Sequence, residues 1–229
     1  MKKDVLVFGY NEYAKEIVSN FVMDAFHVHV YVIDELSFQA AKNDALEVEL
    51  VELDDDWLNI SRKFNTKEVI CFCALDDDAQ NVFLTISLRA EYESIEIISL
   101  ATSKDSADKL RLAGANKAIA KLETTANVIV ESLEKPAVVK FMNDVLYADK
   151  DLKLAEYIIQ KGSVLDTAYL HEVRLDKDFN IIILAIADKD FETEFTFTTE
   201  GYKHRIDSGD VLVVMGKEKD LQAFEKAIS

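Results

Sequence analysis

A glycine, an asparagine and an alanine carry the first chemistry to weigh in this chain. They lie in Gly9-Tyr10-Asn11-Glu12-Tyr13-Ala14, entered from the apolar run Val5-Leu6-Val7-Phe8 and left by an amphipathic helical pattern. A dinucleotide-binding turn has the form G-x-G-x-x-G/A, in which the first glycine makes a tight turn and the second lets the backbone approach a pyrophosphate. Gly9 and Ala14 fill the outer positions, and Asn11 stands where the middle glycine belongs. The helix that follows still offers unpaired N–H groups to an anion. Asp34, 25 residues after Gly9 and at the end of the second apolar run, has the type and spacing to accept from a ribose hydroxyl. Glu12 works the other way, setting negative charge beside a phosphate. The turn therefore has two readings: a nucleotide cleft, or a scaffold that has lost its nucleotide.

Other residues offer less. The triplets Asp54-Asp55-Asp56 and Asp76-Asp77-Asp78 each fall just past an expected strand end, where open parallel sheets place ligands. Carboxylate oxygens suit a hard divalent cation, yet three aspartates in a row also read as a solvated helix start, the reading preferred here. Cys71 and Cys73 share one face of an expected strand, without the His or Cys pair that completes a zinc pattern, and read as small core residues. His27 and His29 alternate along another strand and are assigned a solvated or core role, so no metal residue is expected. No G-x-S-x-G elbow, HExxH, P-loop or Ser, His and Asp set is present, and no catalytic residue is expected.

The elements that must position these groups follow from apolar patterning. Strands are expected at Val5–Phe8, Val28–Ile33, Val48–Leu53, Val69–Leu75, Ile95–Ala101 and Ala118–Ala120. Between them lie helical patterns, clearest at Ala14, Ile17, Val18, Phe21 and Val22, and again at Ala79, Val82, Phe83 and Ile86. A helix over Lys104–Leu112 has Ser103 as N-cap and Gly114 just past its end. Near-continuous apolar strands alternating with helices predict an α/β fold, a Rossmann-like doubly wound parallel sheet.

The rhythm changes at Pro136. Two helices, Glu123–Leu133 and Ala137–Leu146, are expected around a break at Lys135-Pro136. Beyond Asp149 the chain reads as a smaller α+β subdomain. Its expected strands are Leu152–Ile159, Ile181–Ala187, Glu192–Phe197 and Val211–Met215, with a short helix near Asp166–His171 and a last one over Glu218–Ile228. The glycine-bounded run Gly209–Gly216 reads as a closing hairpin. At about 80 residues this unit is small for independent folding and is expected to share an interface with a second copy.

Bulk properties exclude several classes. A net charge of −17 repels nucleic-acid phosphates and anionic headgroups, so no nucleic-acid partner is expected. The longest apolar run, Ile181–Ala187, is far short of the ~20 residues that cross a bilayer, so no direct membrane insertion is expected. Two cysteines without a leader segment point to a reducing cytoplasm.

With these pieces placed, the chain resembles the regulator of potassium conductance (RCK, KTN or TrkA-type) domains. The resemblance runs through Val5–Gly9, Asp34, Ala74-Leu75-Asp76-Asp77-Asp78-Ala79-Gln80-Asn81 and Lys109-Leu110-Arg111-Leu112-Ala113-Gly114-Ala115-Asn116. It continues in Lys161-Gly162-Ser163-Val164-Leu165 and in Gly209–Gly216. It implies a Rossmann-like N-lobe over 1–134, a helical crossover and dimerisation linker over 135–150, and a C-lobe over 151–229. It further implies a cytoplasmic sensor at the inner face of the cell membrane, homodimeric or in an octameric ring, acting on a membrane-embedded potassium channel or transporter pore. The effector is left open: an adenine nucleotide (NAD, ATP, ADP or AMP) is compatible with the resemblance, and a divalent cation is the less favoured alternative. The calcium-gated members' acidic ligands after the fifth strand are replaced here by Ser99-Leu100-Ala101-Thr102. Some members bind a cyclic dinucleotide in the C-lobe, for which Lys203, His204 and Arg205 are the basic candidates, with a plain surface turn preferred.

The expected site residues are thus Gly9, Tyr10, Asn11, Glu12 and Asp34, with Asp76 and Asp77 at the rim. Two alternatives stand beside a ligand-sensing regulator. One is a vestigial assembly module that binds only protein; the other is an NAD-dependent oxidoreductase, disfavoured by Asn11 and by the missing catalytic set.

Overall fold

The structure, a computed structural model, describes residues 2–21, 25–55, 57–146, 151–187, 196–197 and 204–228. It divides into two compact units, Met1–Val130 and Glu131–Ser229.

The first unit alternates strand and helix: β1 (Lys3–Phe8), α1 (Glu12–Asn20), β2 (Phe26–Val32), α2 (Glu35–Asn43), β3 (Glu47–Leu50) and α3 (Asn59–Lys63). It continues with β4 (Ile70–Cys73), α4 (Asp78–Glu91), β5 (Glu96–Ala101), α5 (Lys104–Leu112), β6 (Lys117–Ala120) and the start of α6 (Lys121–Glu134). The sheet order is β3-β2-β1-β4-β5-β6, every pairing parallel. Alternate side chains of a strand leave on opposite faces. Accordingly Leu6 and Phe8 enter one core with Cys71, Cys73, Leu84 and Ile97, while Val5 and Val7 enter a second with Val28, Val30, Phe72 and Leu100. Both faces of the inner strands β1, β4 and β5 are covered, which is why these read as continuous apolar runs. The Ser103 cap forms as expected, its hydroxyl accepting from Ser106 N at 3.2 Å, and Gly114 takes φ +105° past the end of α5.

The second unit holds α7 (Pro136–Leu146), β7 (Leu152–Ile158), α8 (Leu175–Asp178), β8 (Ile182–Ala187), β9 (Thr196–Phe197), β10 (Val211–Lys217) and α9 (Glu218–Ile228). Its antiparallel sheet has the order β7-β10-β8-β9. Ile159, Ile181, Ile186, Leu212, Val214 and Phe224 form its core.

Two expectations are corrected here. The run Gly209–Gly216 is no closing hairpin: β10 pairs with β7 on one side and β8 on the other, and α9 follows it directly. Gly209, at φ +101°, serves instead the turn Asp207–Asp210, where Asp207 N donates to Asp210 Oδ2 at 2.8 Å. The helix expected over Asp166–His171 is displaced to a 3-10 turn at Leu170–Glu172 and to α8, because Asp166 is spent on Gly162 N and Ser208 N. Of the strand expected at Glu192–Phe197, only Thr196 and Phe197 lie within the described residues. No helix among the described residues is long and apolar enough to cross a membrane.

Candidate functional site

The order β3-β2-β1-β4-β5-β6 reverses between β1 and β4, so a crevice opens beyond their C-terminal ends, where doubly wound sheets place ligands. Two turns bound it: Gly9–Asn11 after β1 and Leu75–Asp77 after β4.

Gly9 adopts φ +95°, and a Cβ there would lie 2.7 Å from the Ala74 carbonyl oxygen. Its N–H donates to Tyr31 O at 2.7 Å. Close approach of the two turns is thus what requires glycine at this position.

Asn11 makes the decisive contacts. It is the N-cap of α1, its Oδ1 accepting from Ala14 N at 3.0 Å. Its Nδ2 donates to Ala74 O and to Asp76 Oδ1, both at 2.8 Å. One side chain therefore caps the helix and ties the β1 turn to the β4 turn. In the complete motif the absence of a side chain here is what admits the phosphates.

Tyr10 points elsewhere. Its side chain is buried in the core, and its hydroxyl donates to Asp44 Oδ2 at 2.8 Å, an oxygen that also takes Lys15 Nζ at 3.0 Å. Burial first, and Asp44 second, push the Tyr10 hydroxyl's pKa far upward. Tyr10 thus locks α1 rather than presenting a ring to the crevice.

Glu12 opens α1 and is exposed. Asp34 sits just past β2 as the N-cap of α2, with Oδ1 accepting from Ser37 N at 2.9 Å and Oδ2 from Ser37 Oγ at 2.7 Å. Those bonds, the backbone one foremost, hold its carboxyl below the ordinary range, so it stays an acceptor at neutral pH. Asp77 caps α4 through Ala79 N and Gln80 N. Asp78 accepts from Thr102 N at 3.0 Å and from the Thr102 hydroxyl. Burial alone would raise its carboxyl, but bonds from Ser106 and Thr102, with the charge of Lys121 nearby, outweigh it and lower the pKa. This triplet is therefore a capped helix start; Asp55 of the other accepts from Glu52 N, and Asp56 lies outside the described residues.

Two residues beside these strand ends carried no assignment from the sequence. Lys121 places its ammonium 4.8 Å from the Tyr13 ring centroid, bringing a cation to the strand ends that carry the acidic triplet. The signal for it was position alone, immediately after the last parallel strand. Asn81 is buried, its Oδ1 accepting from Leu75 N at 2.9 Å and its Nδ2 donating to Leu75 O at 2.9 Å and Leu100 O at 3.2 Å. It pins the loop that carries Asp76.

The cysteines behave as core residues. Cys71 and Cys73 are fully buried, and burial pushes the Cys73 thiol up to about 12 and the Cys71 thiol well above its ordinary value. In the second unit, His204 lies 3.7 Å from the Asp210 carboxylate and Arg205 3.6 Å from that of Asp207, so both basic groups face acidic ones. Lys203 lies outside the described residues.

A doubly wound unit with a bridged switch-point turn, followed by an antiparallel α+β unit, defines a Rossmann-type domain with an appended α+β unit. Residues 5–121 match the TrkA-N domain and residues 154–229 the TrkA-C domain; the chain belongs to this TrkA-N/TrkA-C, or RCK, family. Among its relatives, probable potassium channel protein 2 of Methanocaldococcus jannaschii is 24% identical over 244 residues, covering all of this chain and 67% of that protein. Potassium channel protein 1 of the same organism is 25% identical over 174 residues, covering 76% of this chain and 50% of that protein. The chain thus spans one half to two thirds of these relatives' length. Among solved structures, the GsuK channel superposes with a TM-score of 0.50 at 16% identity over 99% of this chain and 38% of that one. The TrkA-N domain of the inner membrane protein ybaL from Escherichia coli does so with 0.50 at 16% identity, over 58% of this chain and 98% of that one. These superpositions establish the fold.

Proposed function

We propose that the chain is a cytoplasmic, non-enzymatic sensor whose homodimer, alone or in an octameric ring, gates a potassium channel or transporter at the membrane's inner face. The reading rests above all on one observation: both family lobes follow in order in a chain whose relatives are named potassium channels. The effector is an adenine nucleotide (NAD, ATP, ADP or AMP). Three features of the first unit support it: the crevice at the strand reversal, the positive N-terminal end of α1 facing it, and an ionised Asp34 beyond β2. Dimerisation is supported by α6, where no residue is buried although Leu122 and Leu133 expose 71% and 78% of their surface. A ligand gates the pore only by binding two arrangements of the dimer with different affinity.

One observation favours the second reading, an assembly module without ligand. The Asn11–Asp76 hydrogen bond already spans the crevice, and Glu12 adds negative charge beside it. A melting-temperature panel of NAD, NADH, ATP, ADP and AMP separates the two. A nucleotide at 100 times its dissociation constant adds about 2.7 kcal/mol of stability. A shift with one nucleotide, abolished in Asp34→Ala, supports the sensor. A flat panel turns the assignment to the protein-binding module.

A further inference from the structure

We propose that the first unit carries a transition-metal site, independent of the nucleotide crevice, made by Asp4, His27 and His29 with Glu47 behind them. The parallel register creates it. Asp4 on β1 stands opposite His27 on β2, and His29, two residues further on the same face, stands opposite Glu47 at the start of β3. Asp4, His27 and Glu47 lie at the strands' N-terminal ends, the edge away from the crevice, and His29 at the middle of β2.

Both donor separations from Asp4 match those around a tetrahedral ion. Metal–ligand bonds of about 2.0–2.1 Å place neighbouring tetrahedral donors roughly 3.3 Å apart. Asp4 Oδ1 is 3.1 Å from His29 Nε2 and 3.4 Å from His27 Nδ1. One donor atom from each of the three residues lies within 4.8 Å of the others.

The outer shell fits as well. The other nitrogen of His29, Nδ1, lies 2.9 Å from Glu47 Oε2. A carboxylate on the non-ligating N–H is the arrangement that fixes a metal-bound imidazole's tautomer and ring plane. His29 is further held by the edge-on ring of Phe64, centroids 4.7 Å apart, and its side chain is only 15% exposed. Two imidazoles and one carboxylate select a borderline cation such as Zn2+ over Ca2+ or Mg2+, which take oxygen. Three protein ligands leave the fourth position to solvent, and a cavity of about 550 Å3 adjoins the site beside His29, Glu47, Lys63 and Phe64.

The test is calorimetric titration of the untagged 229-residue chain with Zn2+, then with Mg2+ and Ca2+, and the visible spectrum with Co2+. Expected are one Zn2+ per chain, no heat from Mg2+ or Ca2+ at this site, and the intense tetrahedral Co2+ bands without a thiolate charge-transfer band. His27 is half exposed, so His27→Ala leaves the fold intact and should weaken Zn2+ on the order of 100-fold, while Glu47→Gln weakens it roughly 10–100-fold. No saturable Zn2+ binding overturns the proposal. So does affinity unchanged in His27→Ala, or a thiolate band, which would send the metal to Cys71 and Cys73.

Discussion

The amide of Asn11 lies 2.8 Å from the carboxylate of Asp76, so the residue that stands in the middle-glycine position of a dinucleotide turn bridges the β1 and β4 turns. The same nitrogen holds the Ala74 carbonyl. On the proposed function, a phosphate that enters between the two turns to reach the N-terminus of α1 displaces this contact.

Asn11→Gly removes it. A glycine cap costs only a few tenths of a kcal/mol, and the two lost hydrogen bonds bring the destabilisation to about 1–2 kcal/mol. Nucleotide affinity moves the other way: a contact of about 1 kcal/mol no longer has to be broken, so binding tightens about fivefold. Parallel denaturation and nucleotide titration of the two proteins read both effects. Lower stability with unchanged affinity would show that ligands do not enter between these turns.

Gly9→Ala tests the closeness of the turns themselves. The new methyl meets the Ala74 carbonyl at 2.7 Å on a backbone at φ +95°. The expected loss is on the order of 3 kcal/mol, a fall of roughly 6–12 °C in the first unit's melting temperature. An unchanged melting point would mean that the β4 turn can withdraw freely.

Asn81→Ala separates loop support from ligand contact. The truncation leaves the Leu75 N–H and carbonyl without their partner in a buried place. The expected cost is about 2–4 kcal/mol, with faster amide exchange at Leu75. Slow exchange at Leu75 in the variant would assign the loop's order to other contacts.

Much of this was legible in the chain. Lys104–Leu112 and Glu218–Ile228 carry local signals, a serine cap with a following glycine in one and the 3.6-residue stripe of Leu221, Phe224 and Ile228 in the other, and both form with those bounds. The parallel strands were visible because burial on both faces makes them continuously apolar. What escaped depends on pairing. Tyr10 stands next to a glycine in a ligand-type turn, yet its hydroxyl finds Asp44 at the end of α2, a contact no spacing reveals. Asp4, His27 and His29 were separately unremarkable until the register of β1 and β2 set them side by side. The closing hairpin failed for the same reason: β10 looks like any strand after a glycine turn, and only its partners show it to be internal.

Acid should unfold the first unit through its capped carboxylates. Asp34, held by the backbone and hydroxyl of Ser37, and Asp44, held by Lys15 and Tyr10, titrate below their ordinary range. So does Asp78, where the bonds from Ser106 and Thr102 outweigh burial. A carboxyl whose folded pKa is depressed stabilises the fold above its unfolded pKa, near 4, and that contribution is lost as pH falls through the lower folded value. Thr102→Val removes the hydroxyl that donates to Asp78 and raises the folded pKa towards the unfolded one. The variant should therefore be less stable than the parent at pH 7, and the gap should narrow progressively below about pH 4. Denaturant midpoints from pH 7 down to pH 2.5 measure it. A gap that stays constant across the series would show that Thr102 acts by packing, and that Asp78 carries none of the acid sensitivity.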